Sequence, residues 1–372
     1  MIRKILPVCF AILALSSCKK DDPEEEVPSP ISFSCESGTY CFPRSGASSV
    51  SYTGQTTRLN QLEEMTTYMK TSNSGSTISA AQLKEMFSNN DGQGSTYFSE
   101  SANDASKQLK SKCFLGTVSQ YESWMDDFEA ASQSTVPGEN GTAGVVVSTS
   151  NPSKQYFFNE NGWEYTQLIE KGLMGDVNYY QAMATYLQGI LDGDFDNETI
   201  LDNKNYTEAE HKFDEAYGYF GIPIEFPEIT EGVRFHGKYC NSRNGVLGTN
   251  QIAAEFYAAR AAIVEDTDPA ANIQNIKREW HRVCAGTAIH YLNDAKTNIA
   301  DDALRNHELS EAYAFIGNLL HNTGFELSPE QVDEARNLLG GNFYETTTQN
   351  IDDCILFIVN NTEITLPEVA NL

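Results

Sequence analysis

His211 and Glu215, and again His307 and Glu311, stand four residues apart. That spacing puts an imidazole and a carboxylate on one face of a helix. Such a pair can ligate a metal, act as an acid–base couple, or hydrogen-bond two helices together. The segments that hold the pairs match without gaps at an offset of 96 residues, from His211 to Gly221 and from His307 to Gly317. His, Glu, Ala, Tyr and Gly recur at equivalent positions, which implies two related helical halves. Glu208 three residues before His211 adds the spacing used by carboxylate-bridged di-iron bundles. The second copy carries Leu304 where the matching glutamate belongs, so a di-iron centre is not expected. Asp192, Asp194, Asp196 and Glu198 alternate like the start of a calcium loop. Asn197 and Asn203 stand where that loop needs glycine and glutamate, so the stretch reads as a solvated acidic turn. The sequence contains no G-x-S-x-G, H-E-x-x-H or P-loop pattern. His281, His290 and His321 stand singly on helical patterns and read as core or surface residues.

The elements around these pairs must be built by a chain of 372 residues with 52 acidic and 25 basic side chains. The resulting charge of −27 argues against nucleic acid, whose phosphates require a basic footprint. Hydrophobic residues at 40% and aromatics at 11% supply a core and exclude wholesale disorder. No internal run of about 18 uncharged apolar residues occurs, so nothing in the body reads as a membrane span.

The first residues read as an address. Arg3 and Lys4 precede an apolar run from Ile5 to Leu15, and Leu15-Ser16-Ser17 leads into Cys18, as in a bacterial lipobox. Cleavage there leaves Cys18 as an acylated first residue and a lipid anchor in the membrane. Residues 18–30 are charged and proline-rich, an extended tether. The lysines followed by paired acids resemble the export signal of Bacteroidetes surface lipoproteins, which implies an outer-membrane lipoprotein facing the medium. Outside the cytoplasm the remaining six cysteines can form disulfides. Cys35 and Cys41 are close enough to close a small loop, and the pairing of Cys113, Cys240, Cys284 and Cys354 is left open.

Past an irregular or short-stranded stretch at 31–56, helical spacing dominates. Leu59, Leu62, Met65 and Met69 form one apolar face, and Val118, Tyr121, Met125 and Phe128 another. Ser79 with Gln82, Thr207 with Glu210 and Ser328 before Pro329 are helix starts. Residues 134–160, with Pro137-Gly138, Asn140-Gly141 and a valine run, read as a long loop holding one strand. A long helix follows from about Trp163 to Leu191, capped by Asn161 with Glu164. Gly172 and Gly175 lie on it at a spacing that lets a neighbouring helix approach closely. Further helices fall at 250–265, 271–298, 301–322 and 329–339. The fold class is all-α, two related helical bundles at 31–205 and 206–372.

Three stretches resemble one family together: Val50 to Leu59, Gly162 to Leu173, and Glu210 to Phe220. They are similar to an uncharacterised group of Bacteroidetes lipoproteins related to the imelysins. That resemblance implies two helical bundles and a link with iron uptake. It also implies a G-x-H-x-x-E motif, on which imelysins have been classed as peptidases. At the corresponding place this chain reads Gly162-Trp163-Glu164-Tyr165-Thr166-Gln167, with glutamate for histidine and glutamine for glutamate. A hard cation can still use Glu164 and the Gln167 carbonyl, whereas a zinc peptidase loses its nitrogen ligand. The expectation is a non-catalytic surface binding protein with Glu164, Gln167, His211, Glu215, His307 and Glu311 lining a shared groove. Its ligand would be a divalent cation, iron in a carrier, or a partner such as an outer-membrane receptor. A metallohydrolase and a purely structural lipoprotein are the alternatives.

Overall fold

The computed structural model describes residues 34–36 and 38–372, so the signal, Cys18 and the whole tether lie outside the described residues. Helix covers 59% and strand 5%, the all-α class that the periodicity implies. Two short strands, β1 (Pro43–Arg44) and β2 (Ala47–Ser48), open the fold. Helices α1 (Thr53–Met69), α2 (Ala80–Gly92) and α3 (Val118–Ala131) follow. Leu59, Leu62, Met65 and Met69 of α1 and Tyr121, Met125 and Phe128 of α3 are all buried, so each apolar stripe faces the core.

Residues 134–160 hold two strands rather than one. β3 (Gly144–Val147) and β4 (Gln155–Phe158) pair antiparallel. At four residues each, they are too short to stand out from a Gly- and Ser-rich loop. Next comes α4 (Tyr165–Leu173), which runs on as π-helix through Met174–Tyr179 and Gln181–Leu187 into α5 (Gln188–Asp192). The long helix is there, but half of it is wound wider than an α-helix, a form often found at functional sites. Its expected cap is not formed. Glu164 occupies the N-cap without a side-chain cap, and the Asn159 carboxamide accepts the Asn161 and Trp163 amides instead.

The second half runs α6 (Glu208–Phe220), α7 (Phe235–Leu247), α8 (Ile252–Val264), α9 (Ala270–Thr297), α10 (Asp302–Asn318), α11 (Pro329–Leu338), α12 (Thr348–Asn361) and α13 (Leu366–Val369). Thr207 and Ser328 make full capping boxes with Glu210 and Gln331. Sequence periodicity missed α7, whose Gly237 and Gly245 weaken any helical pattern. The structure explains one of them: a Cβ at Gly237 would lie 2.5 Å from the Gly221 carbonyl oxygen.

Helix α9 is the central rod, packed against α7, α8, α10 and α12, and one continuous apolar cluster runs from Tyr40 to Ile364. Around it, α1 lies on α6 and α4 lies on α10, each pair taking one helix from either side of residue 205. The π-segment approaches α10 so closely that a Cβ at Gly175 would overlap the Asn318 carboxamide and lie 3.1 Å from the Asn318 Cα. Gly175→Ala should therefore destabilise by about 1–3 kcal/mol through overpacking, read as a lower midpoint in urea. Cys35 and Cys41 form a disulfide, and Cys113, Cys240, Cys284 and Cys354 are free and buried.

Candidate functional site

The repeat is visible as a repeated way of docking helices. In the first copy the Asp214 carboxylate accepts the Ser51 amide at 3.0 Å, and His211 Nδ1 lies 3.0 Å from the Ser51 carbonyl. In the second copy the Ser310 hydroxyl, at the position equivalent to Asp214, accepts the Glu164 amide at 3.0 Å. His307 Nδ1 meets the same residue, at 2.6 Å from the Glu164 carboxylate. Each imidazole lies under a tyrosine ring, Tyr206 over His211 at 4.9 Å and Tyr156 over His307 at 4.0 Å. Ser51 and Glu164 thus play the same part at the starts of α1 and α4.

The copies differ in charge. In the first, Glu210 and Asp214 are tied to Arg260, which lies wholly inside the protein, by contacts of 2.9 Å each. Glu210 also takes Arg44, and Tyr40 donates to Asp214 at 2.8 Å. His211 and Glu215 stand beside this lock, Glu215 accepting from Gln55 and Lys212 at 2.8 and 2.9 Å. Burial pushes Asp214 up to about 6 against the pull of Arg260. These groups pair with one another, and the copy works as scaffold.

The second copy carries an ionic chain. His307 Nε2 lies 3.5 Å from Glu311, whose other oxygen is 3.5 Å from Lys171 Nζ. Lys171 also reaches Glu170 at 2.9 Å and stands over the Tyr239 ring at 5.7 Å. Burial opposes the charged imidazolium, but Glu164 and Glu311 outweigh it and raise His307 to about 8. Burial likewise opposes the Lys171 ammonium, and Glu170 and Glu311 more than compensate. Burial and the nearby Asp294 lift Glu308, beside His307, to about 7. Gln167, one turn beyond Glu164, is buried with its carboxamide oxygen unpartnered, as is Glu164 Oε1.

Of the six residues expected to line one groove, the structure brings Glu164, His307 and Glu311 together and puts Gln167 on the next turn. No hydrogen bond or ion pair joins them to His211 and Glu215. Among the described residues no group of three or more His, Cys, Asp or Glu side chains is arranged to hold a metal ion. The physical reason lies in His307, whose two nitrogens each face a carboxylate and hold the proton that a metal would have to replace. Lys171 takes the remaining side of Glu311. The acidic stretch after Asp192 is a turn, with Asp196 accepting the Glu198 and Thr199 amides.

Sequence reasoning missed Lys171, and it missed Asp176, which accepts from Tyr121 at 2.7 Å and pairs with His321 inside the π-segment. His321 looked isolated because its partner is 145 residues away.

His307 has a direct consequence for stability. Its native pKa of about 8 lies above the ordinary imidazole value of 6.5, so the folded state holds this proton more tightly. The stabilisation is fully present below pH 6.5 and is lost as pH rises through 8, about 2 kcal/mol for this shift. Urea unfolding between pH 6 and 8.5 should show this fall in the native protein and a flatter profile in His307→Gln.

A family model described as Domain of unknown function (DUF4856) matches residues 37–335. The match does not link the chain to imelysins. No curated protein and no solved structure matches it.

Proposed function

Because the chain belongs to that family, whose description carries no activity, we propose its role from geometry: a lipid-anchored, surface-exposed binding protein, not an enzyme. Its ligand seats at the Lys171 end of the ionic chain, and its task is capture in nutrient acquisition. The observation that carries this reading is the closed pairing of Glu164, His307, Glu311, Lys171 and Glu170. A general base or a metal-activating ligand needs a free lone pair and an open position, and here both imidazole nitrogens are engaged. A preorganised ionic frame beside a cleft suits recognition, because it fixes polar groups at no cost on binding. Kinship with imelysins and a part in iron uptake belong to the same proposal, iron arriving inside a carrier rather than as a bare ion.

A second reading rests on a different observation. Glu164 Oε1 and Gln167 Oε1 are buried, unpartnered oxygens three residues apart, which suits a hard cation. Metal analysis of protein purified without chelator, paired with a thermal-shift screen of small metabolites, separates the two. The first reading expects well under one metal per chain and stabilising compounds whose effect is lost in Thr66→Val, Thr66 lining a cleft with Lys171 between α1, α4 and α7. Stoichiometric metal lost in Glu164→Gln would replace it with the second.

A further inference from the structure

The cleft beside Lys171 has a volume of about 310 Å³ and opens between α1, α4 and α7. Four cations line it, Lys70, Lys171, Arg234 and Lys238, against two carboxylates, Glu63 and Glu170. Both carboxylates are already engaged, Glu63 with Arg234 at 2.6 Å and Glu170 with Lys171 at 2.9 Å. Lys171 spends its charge inward, on Glu170 and Glu311. Lys238 has no ion pair among the described residues, and Lys70 approaches Glu170 only at 4.0 Å. In a chain of net charge −27, an excess of two cations in one cavity runs against the composition. Such a cavity is a local positive focus within a repelling surface.

A second observation points to a ligand independently. Thr66 lines the same cleft, is 4% exposed, and its hydroxyl has no hydrogen-bond partner. Leaving a buried hydroxyl unpaired costs about 1–3 kcal/mol, so such a group normally has a partner. Met174, Val233 and Tyr239 supply apolar wall beside it. The volume lies at the small end of the range typical for bound small molecules.

We infer that this cleft binds a small organic oxyanion, a phosphate or carboxylate carried on an apolar or aromatic body. Lys70 and Lys238 pair with the anionic group, the Thr66 hydroxyl donates to it, and the body lies against Met174 and Tyr239. The inference rests on the binding-protein reading and names its ligand class.

Met174 is a built-in reporter. The full chain, with Cys18→Ser to prevent acylation and ¹³C labels on its methionine methyls, is titrated with phenyl phosphate, benzoate, benzyl alcohol and benzylammonium. The expected result is a saturable shift of the Met174 resonance with phenyl phosphate or benzoate, whichever oxyanion fits. Rising salt weakens it, and Lys70→Gln with Lys238→Gln weakens it about tenfold. Benzyl alcohol and benzylammonium leave Met174 in place. If the neutral or cationic probe moves Met174 as strongly, or the double variant binds undiminished, the oxyanion class is overturned while the cleft stands as a binding site. If none of the four probes moves Met174, the cleft and the reading built on it both fall.

Discussion

Lys171→Met is expected to destabilise the protein by about 3–5 kcal/mol, because it leaves buried carboxylates facing one another without their cation. Glu170 and Glu311 lie on either side of Lys171 Nζ, at 2.9 and 3.5 Å, and both are nearly inaccessible to water. The methionine fills the same volume, so the loss reports charge rather than packing. Urea unfolding should show a lower midpoint at unchanged slope. Adding Glu311→Gln removes one stranded charge and should return part of the loss. A Lys171→Met variant as stable as the native chain would mean that the ionic chain contributes nothing to the fold.

Arg260→Ala should be as severe, about 3–5 kcal/mol or outright failure to fold. Arg260 is 0% exposed and its guanidinium serves Glu210, Asp214 and Ser49 at once. Its Cζ also lies 5.0 Å from the centre of the Phe42 ring, so packing is lost with the charge. Asp214, already held at about 6 by burial with Arg260 in place, would take up a proton near neutrality once the cation is gone. Adding Asp214→Asn should therefore recover stability more at pH 8 than at pH 5. Equal recovery at both pH values would contradict the charge account.

Much of the scaffold can be read from the chain because it depends on local rules. The stripe from Leu59 to Met69, the boxes at Thr207 and Ser328 and the small-residue spacing of Gly172 and Gly175 need only neighbours along a helix. The two His–Glu pairs are legible for the same reason. What they do is not, because their partners come from far away. Glu164 is 143 residues from His307, and the sequence marks it only as part of a helix cap and through a family resemblance. Lys171 sits in an ordinary helical stretch, and only its burial beside two carboxylates gives it meaning. The idea of one groove shared by both copies also rests on similarity of sequence. In space the copies share a docking scheme, and their charges part where the first has Glu210 against Asn306 and Asp214 against Ser310. The carboxylates there recruit Arg260 and make a lock, whereas the amide and the hydroxyl leave the charge to Glu164 at the start of α4. The π-helical turns are invisible because nearly every residue from Glu164 to Met183 is buried, which leaves no one-sided stripe whose period could show the wider turn.

The claim on which the account turns is that His307 is a clamped imidazolium and not a metal ligand. An NMR titration of the histidine ring resonances measures this directly, with His307→Gln providing the assignment. His307 should titrate near 8, fall toward 6.5 in Glu164→Gln, and keep its resonance when zinc or ferrous iron is added at one equivalent. A His307 that titrates at or below 6.5, or whose signal is lost to one equivalent of metal, would contradict it.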